Sequence, residues 1–403
     1  MITTDKRIEE NLFNYMLGHP IINTHSHHLN DEAFEGFDLE RLIENTYLQW
    51  GEVKPDNMGE SRKIFLDKIR NKSYFVWLQK AIQQLYGIEE MLTVENWDSI
   101  SEKIKNAHRE RDFHIKILEK QCNYKKILAE TYWNPGSDNG RPTLFRPAFR
   151  IDSFLYGYAK GKRDHDGINP QEEYGELPDN LTDYLAWVRK WILQKKQQGC
   201  VALKSAVAYD RGLDFKEVSR QKAERVFLLK DDEKTAEDIR NFQNYLFWQI
   251  CQISAELSLP FQCHTGTGQL TNTRPIELNE MIRRNPETKF VLLHCGYPWI
   301  EDIVGMVHEY PNVYPDLCWM PILSYTASQR SLHELLEAAT SDKLCWGCDT
   351  WTSEESYGAL LAFRFVLSRV LTEKIMDGYF SIEDAKMMID HIMMDNAVQL
   401  YGL

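Results

Sequence analysis

Residues 20–28 read PIINTHSHH, an apolar, β-branched run that ends in His25, Ser26, His27 and His28. In a strand successive side chains point to opposite faces, so His25 and His27 share one face while Ser26 and His28 share the other. Two imidazoles two residues apart on one face suit a cation. Taken alone the triplet says little, because core histidines with satisfied partners produce the same pattern. Its meaning is decided by whether other strands in the chain end in the same way.

Seven further runs share this character, each apolar and followed by polar, Gly or Pro residues before a helical pattern begins. They are KILAETYW (126–133), LFRPAFRI (144–151), CVALKSAVAY (200–209), PFQCHTGTG (260–268), KFVLLHCGY (289–297), NVYPDLCW (312–319) and KLCWGCDT (343–350). Amphipathic stretches such as EDIRNFQNYLFWQICQISAELS and ELNEMIRRNP lie between the later runs. They supply the crossover helices that parallel strands require. Eight strand-then-helix units predict an α/β fold, a (β/α)8 TIM barrel. One interval breaks the rhythm: 29–125 has helical periodicity and is rich in Trp, Tyr, Leu and alternating charge. The expected organisation is therefore a barrel formed by 1–28 and 126–403, with 29–125 as a helical insertion or lid over the barrel mouth. The plainer alternative is a packing domain that only stabilises the fold. The polar stretch at 160–180 reads as a surface loop.

Composition narrows the function class. Forty-seven basic and sixty acidic residues give a net charge of −13, which opposes binding to nucleic acid or to an anionic membrane surface. The first twenty residues lack an uninterrupted apolar core like that of a signal peptide, and no apolar run approaches the roughly 18 residues of a membrane span. The eight cysteines are scattered, and only Cys345 and Cys348 lie close together, so reduced thiols in a cytoplasmic protein are expected, without a four-cysteine zinc site.

Four more strand-like runs carry a residue able to bind a metal at or near their ends: Lys204, His264, His294 and Asp349. The order His-x-His, Lys, His, His, Asp resembles the amidohydrolase superfamily of metal-dependent (β/α)8 barrels. FQCHTGTG, LLHCGYPW, YPDLCW and ALKSAVAYDRGL look like its amidohydrolase-related (amidohydrolase 2) branch, which includes the domain joined to glutamine-synthetase-like proteins. More distantly the chain resembles uronate isomerase, which shares the first His pair, the strand 5 His, the final Asp and a helical excursion after strand 1. The likeness covers all eight strands but not 29–125.

The resemblance implies that His25, His27, His264 and Asp349 are metal ligands or lie against the metal, with Asp349 accepting a proton from water or substrate. Neutral imidazoles and a carboxylate suit Zn²⁺ or a similar divalent ion, one or two in number. In binuclear members the strand 4 lysine is carboxylated and bridges two ions, and the strand 6 His binds the second. Lys204 and His294 fit those roles; otherwise Lys204 anchors an anion and His294 polarises the substrate as a second catalytic group. Candidate substrate contacts are Arg146 and Arg150, four apart on strand 3, and Tyr209 and Arg211 after strand 4, where a guanidinium can hold a carboxylate through two hydrogen bonds. The bland reading is an internal salt-bridge pair for Arg146 and Arg150, and a surface pairing with Asp210 or Asp214 for Arg211. Trp133 and Tyr297, like Glu130, Trp319 and Trp351, stand at strand ends, where aromatic residues more often pack than recognise. The expected activity is metal-dependent hydrolysis of a C–N or C–O bond (amide, lactone or ester) in a small anionic molecule by a homo-oligomeric enzyme. Two rivals are sugar-acid isomerisation or non-oxidative decarboxylation on the same metal, and a catalytically silent ligand-binding barrel.

Overall fold

Short β-branched and aromatic runs form the strands, and the computed structural model describes residues 2–49 and 59–403. The strands are β1 (Ile21–Ser26), β2 (Tyr124–Ala129), β3 (Phe145–Arg150), β4 (Ala202–Ser205), β5 (Phe261–His264), β6 (Phe290–Leu293) and β7 (Val313–Pro315). Every residue of β1, β4, β5 and β6 is buried, as parallel strands covered on both faces require. Hydrogen-bonded neighbours follow chain order from β1 to β7, and β3 through β7 pair in parallel. Helices Leu181–Gln197, Ala236–Glu256 and Ile300–Glu309 provide crossovers between successive strands. The fold class is the α/β barrel type expected from the sequence.

The eighth strand is a correction. Within KLCWGCDT only Cys345 pairs with a neighbour, in an isolated parallel bridge to Asp316. From Trp346 onward the chain follows β1 irregularly: Trp346 O accepts from Thr24 N–H (3.2 Å), Asp349 N–H donates to His25 O (2.9 Å), and Thr350 O accepts from His27 N–H (3.0 Å). Two local features prevent a regular strand. Asp349 has φ +56°, which turns the chain off the pleat. Gly347 lies so close to β1 that an added Cβ would sit 2.6 Å from the His25 nitrogen.

The chain divides into two compact units. The first comprises Met1–Ile127, Leu317–His333 and Trp346–Asp395. Its central element is the helix Ser353–Met376, buried around most of its circumference and begun by a capping box on Thr352. Trp346 stacks on Phe363 (centroids 4.5 Å apart), and Phe13 and Trp77 both contact Phe365. The described part of 29–121 is helical, with Leu39–Glu44, Gly59–Ile69, Ser73–Tyr86, Trp97–Ala107 and Phe113–Lys116 as its α-helices. Positions 50–58 of the expected insertion lie outside the described residues. The insertion's helices belong to the same unit as β1 and Asp349.

The second unit comprises Leu128–Asp316, Glu334–Cys345 and Asn396–Leu403. Its core runs through Phe215, Phe247, Phe261 and Phe290, adjacent rings in a row. All eight cysteines are buried and none forms a disulfide. Among the described residues no helix is long and apolar enough to cross a membrane.

Candidate active site

In the first unit, strand alternation places the two histidines of β1 as the spacing requires. His25 Nε2 and His27 Nε2 lie 3.4 and 3.0 Å from Asp349 Oδ1. His28 points the other way, its Nε2 3.0 Å from His114 Nδ1 and its ring stacked on Phe34, both residues of the insertion. Burial alone would raise the Asp349 carboxyl; hydrogen bonds from His25 and His27, and their charge, hold it well below the usual carboxylate range. Cys318 joins the group: its Sγ, a His25 nitrogen and an Asp349 oxygen all lie within 4.8 Å of one another.

The surrounding residues fix this cluster. Asn23 is fully buried on β1; its Oδ1 accepts from the backbone N–H of His25 (3.3 Å) and of Cys348 (3.0 Å), and its Nδ2 donates to Cys348 Sγ (2.9 Å). Glu355 accepts from the backbone N–H groups of Trp351 (3.2 Å) and Thr352 (3.0 Å) and from the Tyr74 hydroxyl. Trp351 stacks on His27 (5.6 Å), and Tyr47 from the insertion lies against both Trp351 (4.4 Å) and Trp319 (4.7 Å). The insertion thus reaches a candidate ligand through one intervening ring.

The second unit holds the other candidates. The strand register sets Arg150 beside Lys204 and Lys204 beside Gln262, with His264 two residues further along β5 on the Gln262 face. Lys204 is 1% exposed, and its charge opposes the rise that burial imposes on the Cys263 thiol, which reaches about 12. His264 Nε2 donates to the Thr267 carbonyl, so its Nδ1 is the acceptor for His294 Nε2–H at 2.9 Å. His294, Cys295 and Gly296 all have positive φ, a sharp turn at the end of β6. Gly266 permits a close crossing there: an added Cβ would lie 2.1 Å from the Tyr297 carbonyl oxygen.

The substrate candidates are distributed unequally. Arg150 is buried among three carboxylates: Glu130 (2.6 Å), Asp166 (2.8 Å) and Asp152 (3.3 Å). Arg146, at the amino end of β3, lies near Gly199, away from the carboxyl ends that gather His264 and His294. Arg211 bonds Gln243 (3.2 Å) and Asn244 (2.9 Å) on the helix Ala236–Glu256 and covers the Phe215 ring; burial lowers its guanidinium to about 10. Tyr209 packs against His264 (4.6 Å) and against His165 (5.1 Å), whose Nδ1 pairs with Asp210. Tyr297 contributes its carbonyl, which accepts from the Thr267 N–H and hydroxyl. Trp133 is 37% exposed, its ring against Tyr132.

Sequence reasoning missed Asn23, Cys318, Asp152, Glu355 and the Asp164–His165–Asp166 loop. Asp152, two residues beyond Arg150, accepts from Ser205 Oγ (2.7 Å) and Ala206 N–H (2.7 Å), and so fixes the carboxyl end of β4. RDHDG (163–167) was the one visible signal of the Asp164–His165–Asp166 loop, an imidazole between two acids.

Residues 206–403 match the family model described as amidohydrolase. That match, over just under half of the chain, bears out the resemblance to the amidohydrolase superfamily. Enzymes of this superfamily are metal-dependent, and the two imidazoles that converge on a buried carboxylate in the first unit are donors of the type a divalent ion takes. Protein fluG of Emericella nidulans is 29% identical over half of this chain, which spans only 26% of fluG's length. A uronate isomerase of Thermotoga maritima is 21% identical over 84% of this chain and 80% of its own. The solved uronate isomerase of Thermotoga maritima superposes with a TM-score of 0.80 at 19% identity, covering 98% of this chain and 97% of that one. Glucuronate isomerase of Caulobacter crescentus gives 0.76 at 16% identity, with 99% and 94% covered. These structures show the shared fold.

Proposed function

We propose that the chain is a metal-dependent isomerase of a small sugar acid, in which Asp349 carries the proton. The observation that bears most weight is the convergence of the His25 and His27 Nε2 atoms on one oxygen of a buried carboxylate. Support for isomerisation comes from the uronate isomerases, whose similarity runs over 84% of the chain, whereas the fluG match is confined to half of it. A divalent ion held by His25, His27 and Asp349 supplies a Lewis acid for neighbouring carbonyl and hydroxyl oxygens.

In an aldose–ketose interconversion the C2–H bond breaks, a C1–H bond forms and the O2 proton passes to O1. In this reading the Asp349 carboxylate takes the proton from C2 and returns it at C1. Trp351 stacked on His27 holds that imidazole's orientation. Residues 29–125 act as the lid, with Tyr47 packed on Trp351 shaping the pocket beside His27. In the second unit the family likeness also assigns His264, His294 and, once carboxylated, Lys204 to metal contact; a free ammonium would leave Lys204 an anion anchor. The second reading is hydrolysis, in which Asp349 takes a proton from the attacking water; the match of residues 206–403 to the amidohydrolase model favours it.

The experiment follows a hexuronate incubated with metal-loaded protein. Aldose–ketose interconversion that stops on chelation and in Asp349→Asn is the expected result. Turnover of lactones, esters or amides without interconversion replaces isomerisation by hydrolysis. Metal-bound protein inert to both substrate classes overturns the enzymatic reading.

A further inference from the structure

We propose that Cys318 is an additional ligand of the metal, entering as a thiolate beside His25 and Asp349. This rests on the metal site in the first unit and adds a donor outside the imidazole, lysine and carboxylate set that the family likeness supplied.

Cys318 is fully buried, and its sulfur shares a 4.8 Å neighbourhood with a nitrogen of His25 and an oxygen of Asp349. The backbone keeps it there. Trp319, the next residue, adopts φ +66°, and its N–H donates to the carbonyl of Gly347 (3.2 Å), two residues before Asp349. The Cys318 carbonyl accepts from Met320 N–H (2.8 Å), closing the turn. The chain from β7 is therefore tied to the segment that carries Asp349 at the point where the thiol stands.

Cys348, the other thiol close to β1, is engaged differently: its sulfur receives Asn23 Nδ2 and contacts the Thr350 and Ser356 hydroxyls. When the ion binds, the Cys318 S–H bond breaks, a metal–sulfur bond forms and the proton passes to water. A thiolate in the set shifts preference toward Zn²⁺, Co²⁺ or Cd²⁺ and away from Mg²⁺ or Mn²⁺.

The test replaces the native ion with Co²⁺ in the whole protein and records the absorption spectrum together with the bound cobalt. The expected result is a near-ultraviolet sulfur-to-cobalt charge-transfer band that is lost in both Cys318→Ser and Cys318→Ala and kept in Cys122→Ser, a buried cysteine outside the cluster. Circular dichroism confirms that each variant is folded, and the ¹¹³Cd resonance of a cadmium-loaded sample gives a second reading of sulfur coordination if both Cys318 variants misfold. Cobalt bound at full stoichiometry without the band, or a band that survives in a folded Cys318 variant, overturns the thiolate ligand while leaving the metal site intact. Absence of cobalt binding that depends on His27 overturns the metal site and the thiolate together.

Discussion

Asn23 joins the two segments that carry the candidate ligands, and nothing in its residue type announces that role. Its one side chain bonds the His25 N–H, the Cys348 N–H and the Cys348 sulfur, all away from solvent. Groups that orient ligands in this way typically contribute a factor of about 10–100 in metal affinity. Asn23→Leu, similar in volume but without hydrogen bonds, is expected to weaken metal binding by about that factor, measured by competition with a chelator. An affinity equal to wild type would remove Asn23 from the positioning role. The ligands themselves divide by function. His27→Asn is expected to lose the bound ion, whereas Asp349→Asn removes the proton acceptor and is expected to lower kcat by about 10²–10⁴ at saturating metal. Metal content measured beside turnover separates the two.

At the scale of elements, the start of the helix Ser353–Met376 carries two adjacent buried carboxylates with different partners. Glu354 receives His108 Nε2 (2.7 Å), the Tyr86 hydroxyl (2.5 Å) and the Ser353 hydroxyl (2.9 Å). Burial opposes its ionisation, but the His108 charge and these bonds outweigh burial and lower its pKa from 4.5 to about 2. Because the folded value lies below the unfolded one, the stabilisation is present above pH 4.5 and lost as pH falls toward about 2. Its size is on the order of 3 kcal/mol. Glu354→Gln is expected to destabilise at neutral pH and to lack this part of the acid-limb slope, read from thermal midpoints across pH. An unchanged slope would place the linkage elsewhere. Such pairings were invisible in the sequence, because His108 and Glu354 are 246 positions apart and each is polar without a motif. β1 was legible for the opposite reason: its side-chain period follows from the strand backbone alone. The same logic misled at 343–350, where the close contact of Gly347 with His25 and the left-handed Asp349 override a strand-like composition. Arg146 and Arg150 do share a strand, but no periodicity could show that Glu130, Asp152 and Asp166 converge on Arg150 alone.

For the whole molecule, the metal reading has a thermodynamic consequence. His25 and Asp349 are more than 300 positions apart in the chain, so the unfolded protein cannot present them together and the ion binds the native state alone. Binding then stabilises by RT ln(1 + [M]/Kd), about 2.7 kcal/mol when free metal is a hundredfold above Kd. A chain of this size responds to such an increment with a rise of a few degrees in thermal midpoint. Titration of chelated protein with Zn²⁺ or Co²⁺ should therefore raise Tm progressively with free-metal concentration. His27→Asn should flatten that dependence. Adventitious binding to the acid-rich surface, which the net charge of −13 favours, would instead persist in the variant and weaken with salt. A midpoint that climbs equally in wild type and His27→Asn at high ionic strength would mean that the stabilising ion is held elsewhere than at the end of β1.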